Sequence, residues 1–126
     1  MSEKRLLVVD DEPEFGEYVR KVAVELGYEV EVTTDAAAFK KTYGAFAPTA
    51  VVLDVVMPEM DGIELVQWLA GRKSTVHLIV VTGHNPRYSE LARKLGEAKG
   101  LRSAINLAKP VALAELRAAL NGGGGC

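Results

Sequence analysis

Four groups of residues in this chain could act together if they stood close: Asp10-Asp11-Glu12, Asp54, Thr82 and Lys109. They are a run of carboxylates, a lone carboxylate, a hydroxyl and an ammonium. Taken singly, each has an ordinary explanation. An acidic run in a loop is commonly a solvated face, and a threonine closing a strand commonly serves a turn. Two of the acids are different, because Asp10 and Asp54 close very apolar runs, LLVVD and VVLD. Their carboxylates are therefore expected beside a core, not at a loop tip. Carboxylates packed together repel one another unless a cation neutralises them. Oxygen ligands with room for several waters suit Mg²⁺, with Mn²⁺ as the alternative, better than Zn²⁺. No Cys or His is placed to make a softer site.

The order of elements is what would bring these groups together. Apolar runs with strand character cover Arg5 to Asp10, Glu29 to Thr33, Ala50 to Asp54, His77 to Thr82 and Arg102 to Leu107. The first, third and fourth are nearly unbroken Val, Leu and Ile, the pattern of strands covered on both faces. The second alternates Val30 and Val32 with glutamates, which suits an edge. The fifth is diluted by Ser103, Ala104 and Asn106. Helical spacing fills the gaps. One helix opens at Pro13 and stops at Gly27, and a second runs from Ala36 to Phe46 behind an Asp35 cap. A third carries Ile63, Val66, Leu69 and Ala70; a fourth spans Tyr88 to Ala98 and a fifth Val111 to Leu120. Strands alternating with helices predict a doubly wound α/β sheet with right-handed crossovers. Ligand sites in such sheets lie beyond the carboxyl ends of the strands. Asp10, Asp54, Thr82 and Lys109 all fall at those ends.

At 126 residues the chain is the length of one domain, with 48% apolar and 25% charged residues. A net charge of −2 recommends no nucleic-acid surface. No run approaches the roughly 18 apolar residues that span a bilayer, and no signal peptide is evident. The single cysteine, Cys126, cannot form an internal disulfide, so a cytoplasmic setting is expected. Residues 1–121 are read as the domain. Residues 122–126, Gly-Gly-Gly-Gly-Cys, are read as a flexible tail, a linker stub or an engineered handle.

Taken together, the Asp10-Asp11 pair, Asp54 with Met57-Pro58 and Asp61-Gly62 behind it, Thr82-Gly83 and Lys109-Pro110 resemble the receiver domain of bacterial two-component response regulators. The resemblance runs from Arg5 to Leu120. It implies a flavodoxin-like fold with five helices and the parallel strand order 2-1-3-4-5. It also implies that Asp54 accepts a phosphoryl group from a histidine kinase, a phosphotransfer protein or a small donor. Asp11, Asp54 and the backbone carbonyl of Val56 would hold Mg²⁺, with Asp10 acting largely through water. Lys109 and Thr82 would meet the phosphoryl oxygens. The modified domain would present the fourth helix, fifth strand and fifth helix to an output domain or protein, as a monomer or a phosphorylation-linked dimer. A cis Lys109-Pro110 peptide is implied as well. A receiver of this kind promotes only its own phosphorylation and dephosphorylation; it binds no nucleic acid or membrane directly.

Some positions depart from that pattern. The aromatic switch residue usual three positions before the lysine is Asn106 here, and the stretch from Thr82 to Lys109 is longer than in the chemotaxis receiver. Val56 is apolar where many receivers carry a polar group, and His84 occupies another position linked to dephosphorylation rate. His77 and Trp68 are read as structural. Three other classes are weighed. An FMN binder would need a Gly- or Ser/Thr-rich phosphate loop where Asp10-Asp11-Glu12 stands. An Asp-nucleophile phosphatase would need an acid where Val56 stands. A degenerate receiver would act as a phosphorylation-independent interaction module, yet Asp10, Asp11, Asp54, Thr82 and Lys109 are all present.

Overall fold

A computed structural model describes residues 4–54, 56–57, 60–61, 65, 67–69, 76–82, 103–108 and 111–124. Five parallel strands form the sheet: β1 (Arg5–Val9), β2 (Glu29–Thr33), β3 (Ala50–Asp54), β6 (His77–Thr82) and β7 (Ser103–Ala108). Their order is β2-β1-β3-β6-β7, the expected 2-1-3-4-5. A separate two-residue ribbon, β4 (Val56–Met57) against β5 (Met60–Asp61), follows β3 directly. No strand pattern marks it in the sequence.

The apolar runs are buried as their composition demands. Leu6 to Val9, Ala50 to Leu53 and Leu78 to Val81 have no exposed surface. Side chains alternate across the sheet, so each run feeds two cores. Leu7, Val9, Val51, Leu53, Leu78 and Val80 pack with Phe39 of α2 (Ala36–Phe46) and with Leu65 and Leu69 of the helical residues 65 and 67–69. On the other face, Leu6, Val8, Ala50, Val52, Ile79 and Val81 meet α1 (Pro13–Glu25) and α3 (Leu113–Gly124). The edge strand β2 keeps Glu29 and Glu31 exposed between half-buried Val30 and Val32. At Gly16 the helix α1 lies so close to β2 that a Cβ would come within 2.5 Å of Val32 Cγ1.

The expected first and second helices begin at Pro13 and Ala36, and the Asp35 side chain accepts the Ala38 N–H at 2.8 Å as the cap reading requires. The fourth helix, Tyr88 to Ala98, lies outside the described residues. The last helix starts at Leu113, because Ala112 serves as its entry and takes the Glu115 carboxylate on its N–H at 3.1 Å. It continues to Gly124, three residues into the stretch assigned to the tail. Glycine is about 1 kcal/mol poorer than alanine in a helix, so these positions hold it weakly.

Two buried side chains tie the end of α3 to the sheet. The Tyr28 hydroxyl donates to the Leu120 carbonyl at 2.7 Å, and His77 Nε2 donates to the Ala119 carbonyl at 3.2 Å. A structural role for His77 follows from that bond. Burial raises the Tyr28 pKa above its ordinary value of 10.0. The folded state therefore holds this proton more tightly than the unfolded chain. The resulting stability is complete below pH 10.0 and is lost as the pH rises through the folded-state value. Tyr28→Phe is expected to lower stability by about 1 kcal/mol at neutral pH. It should also flatten the fall in stability above pH 10.0, as read by urea unfolding across the alkaline range.

Candidate acidic site at the strand ends

The sheet register sets three acids at one edge. Val9 of β1 pairs with Leu53 of β3, so Asp10 and Asp54, each one residue further on, come level on adjacent strands. Asp54 in turn faces Val81 of β6, one residue short of Thr82. Asp10 is 1% exposed and Asp54 3%, whereas Asp11 is open to solvent. A carboxylate oxygen from each of Asp10, Asp11 and Asp54 lies within 4.8 Å of the others.

Local structure fixes Asp10 from both sides. Its N–H donates to the Thr33 carbonyl at 3.1 Å, extending the β1–β2 ladder by one residue. Its Oδ1 accepts the Glu12 N–H at 2.8 Å, which turns the chain into α1. Pro13 then opens the helix, a position where its missing N–H and fixed φ are no handicap. The partial positive charge of that helix end lies just behind the Asp10-Asp11 turn.

The donor set fits a hard divalent cation. All three ligands are oxygens, and two of them are taken out of water, where negative charges need a counter-charge.

Comparison with known proteins gives the arrangement its setting. Residues 6–121 match the response regulator receiver domain. The response regulator MprA of Mycobacterium tuberculosis is 34% identical over 116 residues, covering 90% of this chain and 47% of the relative. The chain belongs to the response regulator receiver family. Full-length FixJ of B. japonicum superposes with a TM-score of 0.83 at 27% identity, over 98% of this chain and 58% of that one. The receiver domain of the Francisella response regulator 1452 does so at 0.76 and 22% identity, over 96% of both chains. The chain thus spans about half the length of the curated relatives it matches.

As a receiver domain of the two-component class, this is a signalling module with a flavodoxin-like fold. Of the residues singled out in the sequence, the receiver brings Asp10, Asp11 and Asp54 together. Val56 falls in β4, two residues past Asp54. Thr82 ends β6, paired with Ala108 of β7. Lys109, Pro110 and His84, and with them the cis-peptide expectation, lie outside the described residues. Asn106 sits within β7 opposite Val80. Trp68 is half-buried and packs edge-on against Tyr43 and Phe39, at 5.3 and 6.0 Å between ring centroids. That accounts for it as packing. Among the described residues no helix is long and apolar enough to cross a membrane.

Tyr18 was not singled out by its sequence. Its hydroxyl donates to the Val111 carbonyl at 3.0 Å, joining α1 to the segment just after Lys109-Pro110. A local reading had no signal for it, because the partners are 93 positions apart.

Proposed function

We propose that this domain is the phosphoacceptor of a response regulator, with Asp54 as the residue modified. The observation that carries the reading is the meeting of Asp10, Asp11 and Asp54 at the carboxyl edge of a receiver sheet. An Asp54 carboxylate oxygen attacks the phosphorus of the donor. A P–O bond to Asp54 forms as the bond to the leaving group breaks, and the leaving imidazole or acetate keeps that electron pair. Asp11, Asp54 and the Val56 carbonyl would hold Mg²⁺, with Asp10 contributing through water, and the bound ion would supply charge neutralisation for incoming phosphoryl oxygens. The Lys109 ammonium pairs with a phosphoryl oxygen, and the Thr82 hydroxyl donates to another.

Modification turns a carboxylate of charge −1 into an acyl phosphate of about −2, a gain of about one negative charge at a buried edge. The domain answers at the surface made by the fourth helix, β7 and α3, read by an output domain or a partner protein. A histidine kinase or phosphotransfer protein is the donor. The unit is taken as residues 1–121, with its last helix running on to Gly124.

The reading predicts uptake of one phosphate per chain from acetyl phosphate with Mg²⁺, seen as an intact-mass gain that a chelator prevents. Mass gain that persists with the chelator, or turnover of unrelated phosphoesters, would count against it. Stable binding to an output protein with no mass gain would favour the phosphorylation-independent module instead.

A further inference from the structure

From the Tyr18–Val111 hydrogen bond we infer that Tyr18 is a positioning residue for phosphoryl transfer. It sets where the loop carrying Lys109 stands relative to the acids. The inference rests on the proposed role of Lys109 and extends it.

Three features carry it. First, α1 starts immediately behind the acid turn, whose Glu12 N–H is held by Asp10 Oδ1 at 2.8 Å. Second, Tyr18 lies five residues past Pro13 on that same helix, about one and a half turns or ~7.5 Å along a rigid rod. Third, its hydroxyl donates at 3.0 Å to the carbonyl of Val111, which is 7% exposed. Val111 is two covalent links from Lys109, and the residue between is a proline with its φ fixed. The helix is thus a strut with an acid-bearing turn at one end and Val111 clamped further along it.

The ring of Tyr18 is already held by packing. It lies on the core of Val19, Val22 and Val111 and against Phe15, with ring centroids 6.2 Å apart. The bond from the hydroxyl adds direction to that packing. Without it the Val111 carbonyl loses its tether to α1. Transfer to a fixed nucleophile is sensitive to such displacement, because its catalysis is mostly positioning and electrostatics.

The test is a double-mutant cycle on the full chain, phosphorylated with acetyl phosphate at saturating Mg²⁺ and followed by intact mass. Tyr18→Phe keeps the ring and is expected to slow phosphorylation roughly three- to ten-fold, the scale a neutral hydrogen bond sets. The Mg²⁺ midpoint, read by calorimetric titration, should stay within about two-fold of wild type, since the acids are not touched. In a Lys109→Ala background, Tyr18→Phe should have no further effect on rate. Equal slowing in both backgrounds would make Tyr18 merely structural and overturn the inference. So would a wild-type rate in Tyr18→Phe, and in either case the role of Lys109 would stand. A wild-type rate for Lys109→Ala alone would overturn both.

Discussion

Asparagine in place of Asp54 is expected to give a folded protein that gains no phosphate mass where the wild type is modified. The side chain is 3% exposed at the end of β3, and the amide has nearly the same shape, so the strand ends need not move. What is lost is the anionic oxygen that attacks phosphorus. A second effect accompanies it. Three carboxylates within 4.8 Å repel in the absence of a cation. At an effective dielectric near 20, each close pair is worth about 3 kcal/mol before neighbouring charges offset it. Removing one charge should therefore stabilise the metal-free protein by about 1–3 kcal/mol, a rise of several degrees in Tm. Added Mg²⁺ should then raise the wild-type Tm more than that of the variant, because binding energy adds to folding stability. Thermal melts with and without Mg²⁺, beside intact-mass spectra, read both effects. A variant that is phosphorylated normally, or that melts below the wild type without metal, would contradict the account.

Phe39→Ala should be the most damaging single change in the core. Phe39 has no exposed surface and reaches from α2 onto Leu7, Val9 and Leu53, the residues that lead into Asp10 and Asp54. It also anchors an aromatic group, with Tyr43 at 5.9 Å and Trp68 at 6.0 Å between ring centroids. Truncation leaves a large void against a sheet that cannot collapse inward, at a cost of about 3–5 kcal/mol. That is a large share of the roughly 5–15 kcal/mol that holds a domain of this size. Urea unfolding followed by Trp68 emission should show the midpoint fall by that amount. The indole loses its edge-on neighbour, so its native emission should change as well. A loss under 1 kcal/mol would mean that this face packs otherwise.

The sheet was legible because each of its three central strands carries an unbroken apolar run. Only strands covered on both faces need LLVV, VVL and LIVV. The edge was legible in the alternation of Glu29, Val30, Glu31 and Val32, which the exposures match. Even the diluted run around Asn106 takes its place as β7, since pairing with β6 supplies what composition does not. The acids could be read for a related reason: a charge that closes an apolar run has to sit at a strand end.

Other features left no local trace. The β4–β5 ribbon is two residues per strand, too short for any period to show. Leu65 was not among the residues picked out for the third helix, yet it is 1% exposed. The bonds that seat α3 and Val111 join partners 92, 42 and 93 positions apart. Tyr28, His77 and Tyr18 each carry a polar tip on an otherwise apolar body, and the tip's partner is set only once the chain has folded. The Gly122–Gly124 extension of α3 likewise runs against local propensity.

The most direct measurement is to locate the phosphoryl group. Borohydride reduces an acyl phosphate to the alcohol with loss of phosphate, so a modified aspartate becomes homoserine. After phosphorylation, reduction and digestion, peptide mass mapping should find homoserine at position 54 and nowhere else. Homoserine at position 10 or 11, or a mass gain that leaves no homoserine at position 54, would contradict the account.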